Sequence, residues 1–248
     1  MSVLNITFMS HVLGMQSGAV VILPQSAPEK TIKKPYKTLY LLHGLSDDHT
    51  AWTRWTSIEK YAEKYDLAVV MPNAHRSFYT DSRKNGKYFT FISEELIKIM
   101  QDMLPLSDKR EDRYVAGLSM GGYGAMRFGL ACPEKFAALA SLSGALDVMR
   151  LLKDNPEGDF ADILGFSEEE RQKSDLFYLA EKLSKSNQPK PRIYIWCGTE
   201  DFLYGDNIKF RDFLKTTDFD YLYEEASGDH SWGYWDMSIQ KALKFMLR

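Results

Sequence analysis

Ser119 is the residue around which chemistry can be built. It lies in Gly117-Leu118-Ser119-Met120-Gly121, a serine flanked two residues away on each side by glycine. That spacing suits a sharp strand-to-helix turn, because glycine lets the backbone bend tightly and pack closely. Serine is a weak nucleophile and needs a general base within hydrogen-bond reach. Histidine suits that role because its pKa lies near neutrality. The chain has five histidines, at positions 11, 43, 49, 75 and 230.

Chain order narrows the choice. The pentapeptide resembles the nucleophile elbow of α/β-hydrolases, in which the order is serine, then acid, then histidine. His230 alone follows Ser119, within Ser227-Gly228-Asp229-His230-Ser231. Asp201, in Cys197-Gly198-Thr199-Glu200-Asp201, follows an apolar run and is the expected acid, holding His230 in the right tautomer. Glu200 is the alternative. Asp229 adjoins His230 and is a poor orienting partner. A tetrahedral oxyanion needs backbone N–H donors. Met120, directly after the nucleophile, supplies one. His43-Gly44-Leu45, following the run that ends at Leu42, supplies the other through the Leu45 N–H. His43 is expected to shape that turn rather than carry protons. His43, Gly44 and Trp232 are also candidates for lining the substrate side, Trp232 because it lies just beyond His230.

These residues need a scaffold. Arg113 to Ala116 reads as a buried strand before the elbow, and Gly121 to Ala131 as a glycine-rich helix stopped at Pro133. Thr38–Leu42, Leu67–Met71, Phe136–Leu142 and Arg192–Cys197 are further near-continuous apolar strands, as expected for a parallel sheet buried on both faces. Val20–Leu23 is an early strand and Tyr221–Tyr223 a late one. Helices are predicted over Ser57–Tyr65, Ser93–Met103, Asn207–Thr216 and Trp235–Leu247, with Ser93-Glu94-Glu95 in a first turn. Alternating strands and helices predict an α/β fold: a mainly parallel central sheet with helices on both faces. The polar stretch 145–188 breaks the alternation and reads either as connecting helices or as a helical lid. No linker divides residues 1–248, so a single domain is expected.

Composition excludes other classes. The chain is 44% hydrophobic and 26% charged with a formal net charge of −3, so nothing favours nucleic acid or an anionic membrane surface. Its two cysteines are too few for a disulfide scaffold. With no leader-like or membrane-length apolar run, a cytoplasmic location is expected. No metal-ligand spacing, dinucleotide fingerprint or P-loop is present. Several aromatic residues, among them Trp52, Trp55, Phe78, Tyr79, Phe202, Tyr204, Trp232, Tyr234 and Trp235, crowd the loops of the expected site.

Leu41-Leu42-His43-Gly44-Leu45-Ser46, Ala116-Gly117-Leu118-Ser119-Met120-Gly121-Gly122-Tyr123-Gly124-Ala125 and Gly228-Asp229-His230-Ser231-Trp232 resemble the esterase D-like carboxylesterases, bacterial tributyrin esterases above all. Phe78-Tyr79-Thr80-Asp81 and Ser143-Gly144-Ala145 fit the same pattern. The resemblance implies an α/β-hydrolase fold and a cofactor-free serine hydrolase for short acyl esters, with the triad Ser119, Asp201 and His230. It also implies a tendency to homo-oligomers. Feruloyl or acetyl-xylan esterase, S-formylglutathione hydrolase-like thioesterase and acyltransferase activities are alternatives within the wider group. A non-catalytic binding module on the same fold is the remote one.

Overall fold

The computed structural model describes residues 1–155, 159–165 and 167–248. Positions 156–158 and 166, which belong to the stretch 145–188, lie outside the described residues. The strands are β1 (Ser2–Ser10), β2 (Met15–Leu23), β3 (Thr38–Leu42), β4 (Ala68–Pro72), β5 (Asp81–Ser82), β6 (Gly86–Lys87), β7 (Arg113–Leu118), β8 (Ala138–Leu142), β9 (Arg192–Gly198) and β10 (Tyr221–Ala226). Eight of them form one sheet in the order β1-β2-β4-β3-β7-β8-β9-β10, and β5 and β6 form a separate ribbon. β1/β2 and β2/β4 are antiparallel, and every other pairing in the large sheet is parallel.

Burial on both faces explains the continuous apolar runs. In β3, Tyr40 and Leu42 face one core while Leu39 and Leu41 face the other. The helix Met120–Ala131 covers the first face through Tyr123, Met126 and Phe128. The helix Trp232–Met246 covers the second through Trp235, Ile239 and Leu243. The chain leaves β3 for β4 on one side and later places β7 on the other. Such a reversal opens a crevice beyond the carboxyl ends of the strands, where α/β sheets bind ligands.

Several expected boundaries shift. β1 has no counterpart in the sequence reading, although Leu4, Ile6 and Phe8 alternate and pack against the core. The helical run predicted from Ser93 begins at Tyr88 and contains a π turn over Phe91–Leu96. Glu95 is therefore not in a first turn. Its carboxylate leaves the helix and accepts hydrogen bonds from the Ser10 hydroxyl and the His11 and Val12 N–H groups of the β1–β2 turn. The helix predicted over Ser57–Tyr65 is present but shorter, spanning Ile58–Glu63, and an unpredicted short helix, Ala51–Trp55, precedes it. The segment between β8 and β9 contains the helices Val148–Asp154, Asp159–Leu164, Glu168–Gln172 and Leu176–Ser184.

Candidate active site

Ser119 directly follows β7 and caps the helix Met120–Ala131 with φ 52° and ψ −117°, a conformation that L-residues avoid. The surroundings impose it. A Cβ on Gly117 would overlap the backbone of Gly121, and one on Gly121 would overlap the Leu42 carbonyl. The turn can be this tight only with hydrogen at both positions. The Ser119 N–H donates to Leu142 O at 2.9 Å, and its carbonyl accepts from Tyr123 and Ala145, so the backbone is fixed while the side chain stays half-buried.

Asp201 follows β9 and His230 follows β10. The His230 Nδ1–H donates to Asp201 Oδ2 at 2.8 Å. A carboxylate only accepts, so the proton resides on Nδ1 and Nε2 is left as the acceptor. Asp201 Oδ1 accepts from the Leu203 N–H at 2.8 Å. Burial raises the Asp201 pKa, but hydrogen bonds from His230, the Leu203 N–H and the Ser143 hydroxyl outweigh it and hold the carboxyl below its ordinary range. Glu200, the alternative acid, is turned elsewhere and accepts from the Gly228 N–H at the base of the His230 loop. Asp229 accepts from the Ser231 hydroxyl.

Aromatic packing orients the imidazole further. The Trp235 ring meets His230 edge-on at 4.9 Å, and its Nε1–H donates to Ser143 Oγ at 3.1 Å. Trp232 stands edge-on to Trp52 at 5.2 Å and to Trp235 at 5.4 Å, half-buried in this cluster. Ser143, fully buried at the end of β8 with φ 49°, thus joins Asp201 to Trp235. Sequence reasoning gave Ser143 no role in the site. Its contacts reach residues distant in the chain, and the signals pointing to it were its place after a core strand and the fit of Ser143-Gly144-Ala145 to the family pattern. Among the described residues no hydrogen bond joins the Ser119 hydroxyl to His230. In unliganded enzymes that contact is often long and tightens when substrate binds.

The His43-Gly44-Leu45 loop lies against the elbow: a Cβ built on Gly44 would stand 3.8 Å from Ser119 Cβ. Neither the Leu45 nor the Met120 N–H has a partner among the described residues. Met120 begins a twelve-residue helix, whose N-terminal dipole favours developing negative charge. His43 is buried, its Nε2 accepting from the Ala74 N–H at 2.9 Å and its Nδ1–H donating to Gly44 O at 2.8 Å. Burial lowers its pKa to about 4. With both ring nitrogens engaged, the His43 side chain has no polar atom left for a substrate. Tyr79, fully buried, donates its phenolic O–H to His43 O at 2.9 Å. Arg127 Nη1 in turn donates to Tyr79 O at 2.8 Å.

Five of the six non-glycine residues with positive φ among those described (His75, Phe78, Tyr79, Ser119 and Ser143) lie in turns after β4, β7 and β8, at this one edge of the sheet. Both cysteines are free: burial raises the Cys132 thiol to about 11, and Cys197 is buried beneath the site against Ser143. Among the described residues no cluster of His, Cys, Asp and Glu could hold a metal ion, and no helix is long and apolar enough to cross a membrane.

Comparison with known proteins adds to this geometry. A family model described as "Putative esterase" matches residues 10–246. An acetyl esterase of Caldicellulosiruptor saccharolyticus is 33% identical over 99% of this chain and 98% of its own. Two Staphylococcus aureus structures superpose on the whole chain. The fluorophosphonate-binding serine hydrolase FphF, substrate bound, has a TM-score of 0.90 and 37% identity over 98% of its length. The S-formylglutathione hydrolase FrmB has 0.86 and 35% over 99% of its length.

Proposed function

From the premise that the chain belongs to this esterase family, with the α/β-hydrolase fold, and is a serine carboxylic ester hydrolase, we propose that it cleaves short-chain acyl esters through an acyl-enzyme on Ser119. The observation carrying this reading is the Asp201–His230 pair, which leaves Nε2 unprotonated at the sheet edge that presents the strained Ser119. His230 Nε2 takes the Ser119 proton as Oγ attacks the ester carbonyl. The resulting oxyanion accepts from the Leu45 and Met120 N–H groups. The bond to the alcohol oxygen then breaks, and that oxygen leaves with the proton from His230. Water, deprotonated by the same nitrogen, releases the acid and restores Ser119.

The similarity to an acetyl esterase supports a short acyl group. Similarity to an S-formylglutathione hydrolase supports thioester cleavage as the second reading, since the same oxyanion donors serve either carbonyl. The described residues between β8 and β9 act as a fixed cap in this reading. Supporting it are the bonds from Thr80 Oγ1 to Ile163 O at 2.8 Å and from Tyr123 O–H to Ser174 O at 2.8 Å. The reading also takes the chain as one domain, cytoplasmic with free thiols, and assembled as a homo-oligomer, which light scattering tests. For the chemistry, Ser119→Ala is expected to lower turnover of p-nitrophenyl acetate at least ~10³-fold. Turnover at the wild-type rate by a folded variant would overturn it.

A further inference from the structure

Phe202 is 73% exposed, the most exposed of the large apolar side chains described. A lone exposed phenylalanine needs no explanation. This one adjoins Asp201 in sequence and holds its ring 4.5 Å from the imidazole of His230, centre to centre. Burying it elsewhere was open to the chain; instead it stands in solvent beside the general base. It also forms one wall of an open groove of about 590 Å³ with Met149, Arg150 and Lys153. Two of the three cations along the groove, Arg150 and Lys209, are matched internally by acids that also line it, and among the described residues Lys153 has no such partner. Arg150 pairs with Asp206 at 2.7 Å, and Lys209 pairs with Asp147. Phe202 and Met149 remain as the groove's apolar surface, and Phe202 is the part of it that meets His230.

The chemistry says which part of a substrate meets that surface. When the tetrahedral intermediate collapses, the carbon stays bonded to Ser119 Oγ and the bond to the alcohol oxygen breaks. The proton for that oxygen comes from His230 Nε2. The leaving oxygen must therefore lie within roughly 3 Å of His230. What the oxygen carries is then brought close to the ring that lies tilted against the same imidazole. We infer that Phe202 is the platform for the alcohol portion of the ester and gives the enzyme a preference for aryl over small alkyl alcohols. Offset or edge contacts between rings supply that preference. The inference rests on the triad reading above and goes beyond it, because the acyl group is not involved.

The test holds the acyl group constant. kcat/KM, which reports acylation, is measured for phenyl acetate and methyl acetate with the wild-type enzyme and Phe202→Ala. The variant is expected to lower the phenyl-to-methyl ratio about tenfold, and Phe202→Tyr to restore most of it. Equal losses for both esters would make Phe202 a mere prop for His230, and no loss would remove it from the site. Either result overturns the inference. Ser119→Ala, measured alongside, separates this failure from that of the triad reading: an inactive serine variant with an unchanged ester ratio in Phe202→Ala sinks the platform alone.

Discussion

His43 and His230 both carry their proton on Nδ1, and their surroundings give them different work. His230 is partly exposed and keeps Nε2 available; His43 is sealed, with Nε2 already accepting from Ala74. Its titration affects stability rather than proton transfer. Unfolded, His43 binds a proton near 6.5; folded, burial postpones that to about 4. Between those values the unfolded chain binds more protons, so stability is full above 6.5 and falls as pH drops toward 4. The difference corresponds to at most about 3 kcal/mol. Urea midpoints measured from pH 7 to pH 4 should fall for the wild type and fall less for His43→Gln. Parallel curves would show that His43 does not contribute.

At the scale of elements, the His43-Gly44-Leu45 loop, proposed above to hold the oxyanion, is held from behind. Tyr79 reaches it across 36 residues of chain, and Arg127 on the elbow helix anchors Tyr79. Tyr79→Phe leaves the His43 carbonyl buried without its donor, at a cost of about 1–3 kcal/mol. Its expected effect on ester hydrolysis is a lower kcat with KM nearly unchanged, because the loop acts on the oxyanion rather than on the bound ester. A rise in KM alone would place the loop in binding instead. This support illustrates what the sequence could reveal. β3, β4, β7, β8 and β9 were legible because burial on both faces leaves unbroken apolar runs, and Ser119, Asp201 and His230 stood out by order and by the strands they follow. Tyr79 and Ser143 were not legible in their supporting roles, since each acts through a contact between residues far apart in the chain. The start of the helical run at Tyr88 was hidden because its π turn disrupts the 3.6-residue period.

Across the whole molecule, the parallel core and the N-terminal hairpin are joined differently. β1 is an edge strand, half-exposed, which is why its alternation was easy to pass over. Glu95 fastens the hairpin turn to the helical run from a distance of 83 to 85 residues. Hydrogen bonds to a charged group contribute about 1.5–3 kcal/mol each. Glu95→Ala is therefore expected to raise hydrogen exchange in β1 at least ~10-fold while β3 and β7 stay protected and esterase activity changes less than about twofold. Uniform loss of protection would mean that hairpin and core open together. The strained residues gathered at the carboxyl edge of the sheet carry a consequence for how this protein can change over generations. The buried frame, not the turns, supplies the stability that keeps His75, Phe78, Tyr79, Ser119 and Ser143 in left-handed conformations. Substitutions that strengthen the frame leave function intact and widen the range of later changes that the fold tolerates. Relaxing the turns would also stabilise the protein, but along a route that selection for activity closes.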